Sequence, residues 1–166
     1  MKNFYTLTVP VFIRSFDHLL AIVEKGEVFA KQKKISEKKM LDARLAPDMY
    51  TLTQQVQYAY FTALDATTGL TGTQSPVFAY DEGSFAELKK SVRRTISFLK
   101  TIKPKDFTTA SKRKVPAYFN PERKVPAEKY ILTLALPNFF FHLTTAYAIL
   151  RHLGVPLKKA DYLGKF

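Results

Sequence analysis

Between residues 131 and 150 the sequence ILTLALPNFFFHLTTAYAIL is apolar on nearly every side of a helix, with Phe139, Phe140 and Phe141 in succession. One neighbouring helix cannot cover such a surface, so this segment is either the central helix of a bundle or part of an interface between two copies of the chain. Pro137 interrupts it. A proline inside a helix removes one backbone hydrogen bond and clashes with the preceding turn at a cost of about 3 kcal/mol, so a kink is expected near residues 133 to 137. The helix as a whole spans about residues 128 to 153, with Gly154 placed as a C-terminal cap and Pro156 as a stop.

Three further segments carry helical periodicity. From Pro10 to about residue 31, Phe12, Phe16, Leu19, Leu20 and Val23 recur on one face, which predicts a first helix opened by the proline. The basic run 31 to 40 then bridges to a second helix. Pro47 fits its first turn, Asp48 suits the positive end of its dipole, and Leu52, Val56, Ala59 and Ala63 share one face as far as Gly69. Residues 70 to 83 carry the glycine, proline and serine punctuation of a loop. Ser84 with Glu87 is a capping-box signature, after which Phe85, Leu88, Val92, Ile96 and Leu99 form a stripe opposite Lys89, Lys90, Arg93, Arg94 and Lys100. Between the third and fourth helices the string RKVPA occurs at 113–117 and again at 123–127. Two copies are too few for a repeat architecture, and each contains a proline, which predicts a short surface hairpin with edge-like strands. Four long helices with a hairpin inserted before the last make an all-α, antiparallel four-helix bundle, and 166 residues fit one domain, 1–166.

The chain carries 26 Lys and Arg against 14 Asp and Glu, a net charge of +12. The excess lies in residues 31–40, 103–129 and 151–166, away from the aromatic-rich segments, and no helix-turn-helix, RNP-type motif or zinc knuckle accompanies it. That distribution describes a solvated surface rather than a nucleic-acid footprint. The apolar stretches carry interruptions short of the ~20 residues that span a bilayer, and the N-terminus has no cleavage pattern, so a cytoplasmic protein without a membrane partner is expected.

Zero cysteines exclude thiolate nucleophiles, iron-sulfur clusters and thiolate zinc sites. No HExxH, GxSxG, GxGxxG or Walker loop is present. His142 lies within an apolar stretch, where an imidazole must find partners. Asn138 is one turn before it and Thr145 one turn after, an inward polar line on the last helix, while Gln55 on the second helix falls among Leu52, Val56 and Ala59. Gln55, Asn138 and His142 are either a satisfied network that fixes helix register or a small-molecule or metal site. Amides bind first-row transition ions poorly, which favours no metal over a divalent one. His152 reads as surface and His18 as packed or partly exposed. Asp48 is a candidate general base at the bundle mouth, or a helix-start carboxylate.

The stretches TVPVFIRSFDHL, ARLAPDMYTLTQQVQYA and ALPNFFFHLTTAYAILRHLGVPL resemble an uncharacterised bacterial domain-of-unknown-function family of the DinB/YfiT-like metalloenzyme superfamily. The likeness spans essentially the whole chain. It implies an antiparallel four-helix bundle, often a homodimer, whose last helix ends in a leucine-arginine pair before a glycine turn, here Leu150, Arg151 and Gly154. It also implies a three-histidine metal site serving thiol-related transferase or isomerase chemistry, with one histidine from the second helix and two from the fourth. By that resemblance His142 matches one ligand, whereas Asn138 and Gln55 stand at the other two positions. The His-Arg-Gly-Gln that follows in the superfamily is here His142, Leu143, Thr144 and Thr145. Three readings result: a small-molecule-binding protein with a degenerate metal site around Gln55, Asn138, His142 and Thr145; a metal-dependent transferase-like enzyme using His142, helped by Asp48; and a basic nucleic-acid-interacting protein.

Overall fold

The computed structural model describes residues 4–164. It is mostly helical with one small two-stranded sheet. The helices are α1 (Phe4–Lys33), α2 (Glu37–Leu41), α3 (Leu52–Thr71), α4 (Phe85–Thr101), α5 (Ala127–His152) and α6 (Lys159–Leu163). Strands β1 (Lys114–Ala117) and β2 (Asn120–Pro126) precede α5. Helix α3 packs chiefly on α5 and α1 chiefly on α4, with α3–α4, α1–α3 and α1–α5 contacts closing the core. Phe139 sits at its centre, fully buried, with the rings of Phe12 and Phe16 edge-on at 4.7 and 5.3 Å. Such edge contacts add about 0.5–1.5 kcal/mol each to the area they bury.

Helix α1 does not open at Pro10. It already runs from Phe4, the first described residue, and carries the proline inside. The extension buries Phe4 and Val9 and sets Tyr5 edge-on to Phe107 at 5.9 Å. Two buried side chains at about 1.5–3 kcal/mol each offset the ~3 kcal/mol proline penalty. Nor does α3 open at Pro47. Thr51 caps it, its hydroxyl accepting from Gln54 N at 3.2 Å while Gln54 Oε1 accepts from Thr51 N at 3.0 Å. This reciprocal box fixes the start, and Pro47 and Asp48 fall in the preceding turn, where Arg44 donates to the Pro47 and Met49 carbonyls. The helix also continues past Gly69 to Gly72, whose φ of 79° is the left-handed cap. The basic bridge contains α2, capped by Ser36.

In α5 the expected kink is a widened turn, a π segment over Ile131–Ala135 that ends where Leu136 N donates to Ile131 O. Pro137 follows directly, and the extra residue in the turn relieves the clash a proline causes in a regular helix. The helix ends at Gly154 (φ 93°), with Val155 N bonded to Leu150 O and Gly154 N to Arg151 O, both at 3.0 Å. The tail then folds back as α6, where Asp161 accepts from Lys25 at 2.7 Å.

The two RKVPA copies pair with each other. Val115 faces Val125, and both are buried. Lys89, expected on the solvent side of its helix, is buried between α1 and α4 with its ammonium on Glu24 and on Glu27, the latter at 2.5 Å. By length and composition α1 and α5 are long and apolar enough to cross a membrane, contrary to the expectation of short stretches, although a core helix passes the same test. Their central aromatics here pack on one another.

Candidate functional site

Three hydrogen bonds cross from α3 to α5. Gln55 Oε1 lies 2.7 Å from His142 Nδ1, Asn138 Nδ2 donates to Thr62 Oγ1 at 2.8 Å, and the Tyr130 hydroxyl donates to Asp65 Oδ2. The α3 partners fall at 55, 62 and 65, spacings of seven and three residues that keep them on one helix face.

At the first crossing the amide of Gln55 has a fixed sense. Its NH2 donates to the Tyr50 carbonyl at 3.4 Å, which turns Oε1 toward the imidazole. An amide oxygen only accepts, so Nδ1 of His142 carries the proton and Nε2 keeps its lone pair. Among the described residues Nε2 has no hydrogen-bond partner, and no fully buried side-chain nitrogen or oxygen lacks one, so Nε2 is not sealed from solvent. The ring of Tyr58 stacks on His142 at 5.4 Å, and Tyr50 stacks on Tyr58 at 4.5 Å. Burial pushes the imidazole down to about 4, which keeps it neutral near pH 7.

The expected residues are only partly brought together. Gln55 and His142 meet. Asn138, half-buried, bonds Thr62 instead. The Thr145 hydroxyl donates to the Phe141 carbonyl in its own helix at 2.8 Å and takes no part in the crossing. Asp48 is exposed on the turn before α3. His152 is exposed and His18 half-buried. Thr62, Tyr50 and Tyr58 are the residues sequence reading missed. Thr62, two turns after Gln55 on the same face, was the one signal available.

At the third crossing burial raises the carboxyl of Asp65, and the Tyr130 hydroxyl draws it partly back. The Tyr130 hydroxyl is itself pushed far up by burial and by the charge on Asp65. This pair holds the start of α5, including the π segment, against α3.

The donor set does not fit a three-ligand metal centre. Gln55 Oε1 accepts from His142 and the Asn138 amide is committed to Thr62, which leaves the Nε2 lone pair alone. Among the described residues no three His, Cys, Asp or Glu side chains gather closely enough to hold an ion.

Residues 4–163 match the family described as Domain of unknown function (DUF1993). The fold is similar to the crystal structure of a DinB family member protein from Shewanella denitrificans, with 35% identity, a TM-score of 0.92, and coverage of 98% of this chain and 92% of that one. No curated protein matches the chain.

Proposed function

Since the chain belongs to the DUF1993 family and is DinB-like throughout its length, we propose that its four long helices form an antiparallel four-helix bundle whose α3–α5 face binds a small organic molecule through the single imidazole of His142. The observation that carries this reading is the 2.7 Å contact between Gln55 Oε1 and His142 Nδ1. It occupies with an amide the place where the resemblance implies a second imidazole, and it leaves one neutral acceptor, Nε2, among aromatic rings. A polar atom set in an apolar surround orients a ligand bearing an N–H or O–H donor. We further propose a homodimer in the cytoplasm as the working assembly.

The test is a titration of purified protein with zinc and with nickel, read by calorimetry and by the 15N shift of His142 Nε2. The expected result is no stoichiometric uptake and an unmoved Nε2, alongside fragment hits from a donor-bearing library that disappear in His142→Gln. One-to-one metal uptake with a shifted Nε2 would overturn the reading in favour of a metal-dependent, transferase-like enzyme, for which the same lone pair would serve as ligand.

A further inference from the structure

A second feature shares Tyr58 with the surroundings of His142. Gln54, Gln57, Tyr58, Phe61 and Tyr80 line an open groove of about 370 Å³ between α3 and the loop before α4. Past Gln54 and Gln57, which line both, lies a more polar space of about 400 Å³ bordered by Asp42, Asp81 and Glu82 and by one cation, Arg44. One end is therefore aromatic and the other acidic, in a chain whose net charge is +12.

The loop is built to hold this shape. Glu82 accepts from Gln57 Nε2 at 2.7 Å and from the Tyr60 hydroxyl at 3.0 Å. Tyr60, fully buried, stacks on Tyr80 at 5.5 Å and meets Phe78 at a tilt at 4.8 Å. Tyr80 has a φ of 58°, the left-handed region that non-glycine residues seldom adopt, and yet the residue is 44% exposed. Backbone strain at a half-exposed aromatic residue is found at active sites, ligand clamps and switch regions.

The charges decide which ligand suits it. Burial would raise the Glu82 carboxyl, but donation from Ser91, Gln57, its own backbone and Tyr60 holds it below the usual carboxylate range. Those donors are neutral, and among the described residues Glu82 forms no ion pair. Asp42 is paired with Lys38, and the Arg44 guanidinium keeps its charge but is turned to the Pro47 and Met49 carbonyls and forms no ion pair with Glu82. Lys90 and Arg94 border Glu82 from an adjoining groove, where Arg94 stands 4.8 Å over the ring of Phe78. A half-buried carboxylate that pairs with none of these cations, beside rings with electron-rich faces, is complementary to an organic cation.

We propose that this groove binds a small organic ammonium ion, its positive centre over the rings of Tyr80 and Tyr58 and facing Glu82. The proposal does not require a ligand at His142, although Tyr58 borders both places.

The test uses choline and its neutral isostere 3,3-dimethylbutan-1-ol, each titrated at millimolar concentration and followed by NMR of the tyrosine ring resonances. Choline is expected to give saturable shifts at Tyr58 and Tyr80, weakened about five-fold or more in Glu82→Gln, while the alcohol gives none. Tyr80→Gly removes the ring and suits the backbone angle, so it should keep the fold and lose the choline response. Equal shifts from choline and the alcohol, or none from either, would overturn the proposal. Ring shifts that follow protein concentration and ignore choline would also overturn it, because they would mean that a second copy of the chain covers the groove.

Discussion

His142 Nδ1 and Gln55 Oε1, 87 residues apart in sequence, meet at 2.7 Å across the α3–α5 crossing. The imidazole is thereby held neutral and in one tautomer. Its folded pKa is lowered to about 4 from the ordinary 6.5. A depressed histidine binds fewer protons folded than unfolded, so its contribution is fully present above pH ~6.5 and declines as pH falls toward 4, by up to about 3 kcal/mol. Urea unfolding of the protein and of His142→Gln across this range should give curves that separate at neutral pH and converge toward pH 4. Parallel curves would contradict a neutral buried imidazole.

Removing Gln55 tests the same contact from its other side. Gln55→Leu leaves a buried N–H without an acceptor, at an expected cost of about 1–3 kcal/mol. The tautomer is then no longer fixed, so the 15N shifts of Nδ1 and Nε2 in His142 should move toward a mixture of the two forms. A variant as stable as the parent, with unchanged ring shifts, would show that the amide does not orient the imidazole.

The residues that were legible in the sequence were those whose partners lie close in the chain or repeat a pattern. Ser84 and Glu87 announced the start of α4 because a cap is a three-residue affair, and Glu87 N does donate to Ser84 Oγ at 3.2 Å. The RKVPA echo placed a hairpin because two copies of one string, each with a valine, can face one another. Before α3 the expected opening at Pro47 and Asp48 gives way to Thr51 with Gln54, because that box satisfies two backbone donors at once. Gln55 and His142 stood out as polar groups within apolar stripes. Asn138 could not be assigned to Thr62, nor Lys89 to Glu24 and Glu27, since each choice depends on which helix lies opposite.

Lys89 carries a prediction of its own. Its ammonium is shared by Glu24 and Glu27, and Glu27 is also held at 2.6 Å by Lys31. The Lys31 and Lys89 contacts, in that order, keep the Glu27 carboxyl below its usual range. Lys89→Met leaves Glu27 with Lys31 alone, and the cost should be about 2 kcal/mol, between that of an exposed pair and that of a buried one. Glu27 contributes above pH ~4.5 and loses its contribution as pH falls, so the difference between parent and Lys89→Met in urea should narrow on acidification.

The Asp65–Tyr130 pair runs the other way with pH. A carboxyl raised by burial binds more protons folded than unfolded, so stability falls as pH rises through its folded pKa. Tyr130→Phe removes the hydroxyl that draws Asp65 down, which should extend that fall to higher pH and cost about 1–3 kcal/mol at neutrality. Asp65→Asn in the same background should recover part of the loss. A pH profile of Tyr130→Phe that matches the parent would show that the hydroxyl does not tune Asp65.

Gly69 lies inside α3, where exchange of glycine for alanine ordinarily stabilises a helix by about 1 kcal/mol. Here the sign should reverse. A Cβ at Gly69 would stand 2.6 Å from a methyl of Val115, whose side chain β1 buries against the helix. The hairpin is pinned there by the Val115–Val125 pairing, so relieving the clash displaces the buried Val115 side chain or β1 with it. Gly69→Ala should therefore destabilise the protein by about 1–3 kcal/mol, the usual range for overpacking. Val115→Ala opens a space of its own at this contact, and the double variant should be more stable than the sum of the two single losses predicts. Thermal unfolding of the four proteins measures that coupling, and strict additivity would mean that the hairpin does not press on α3 at Gly69.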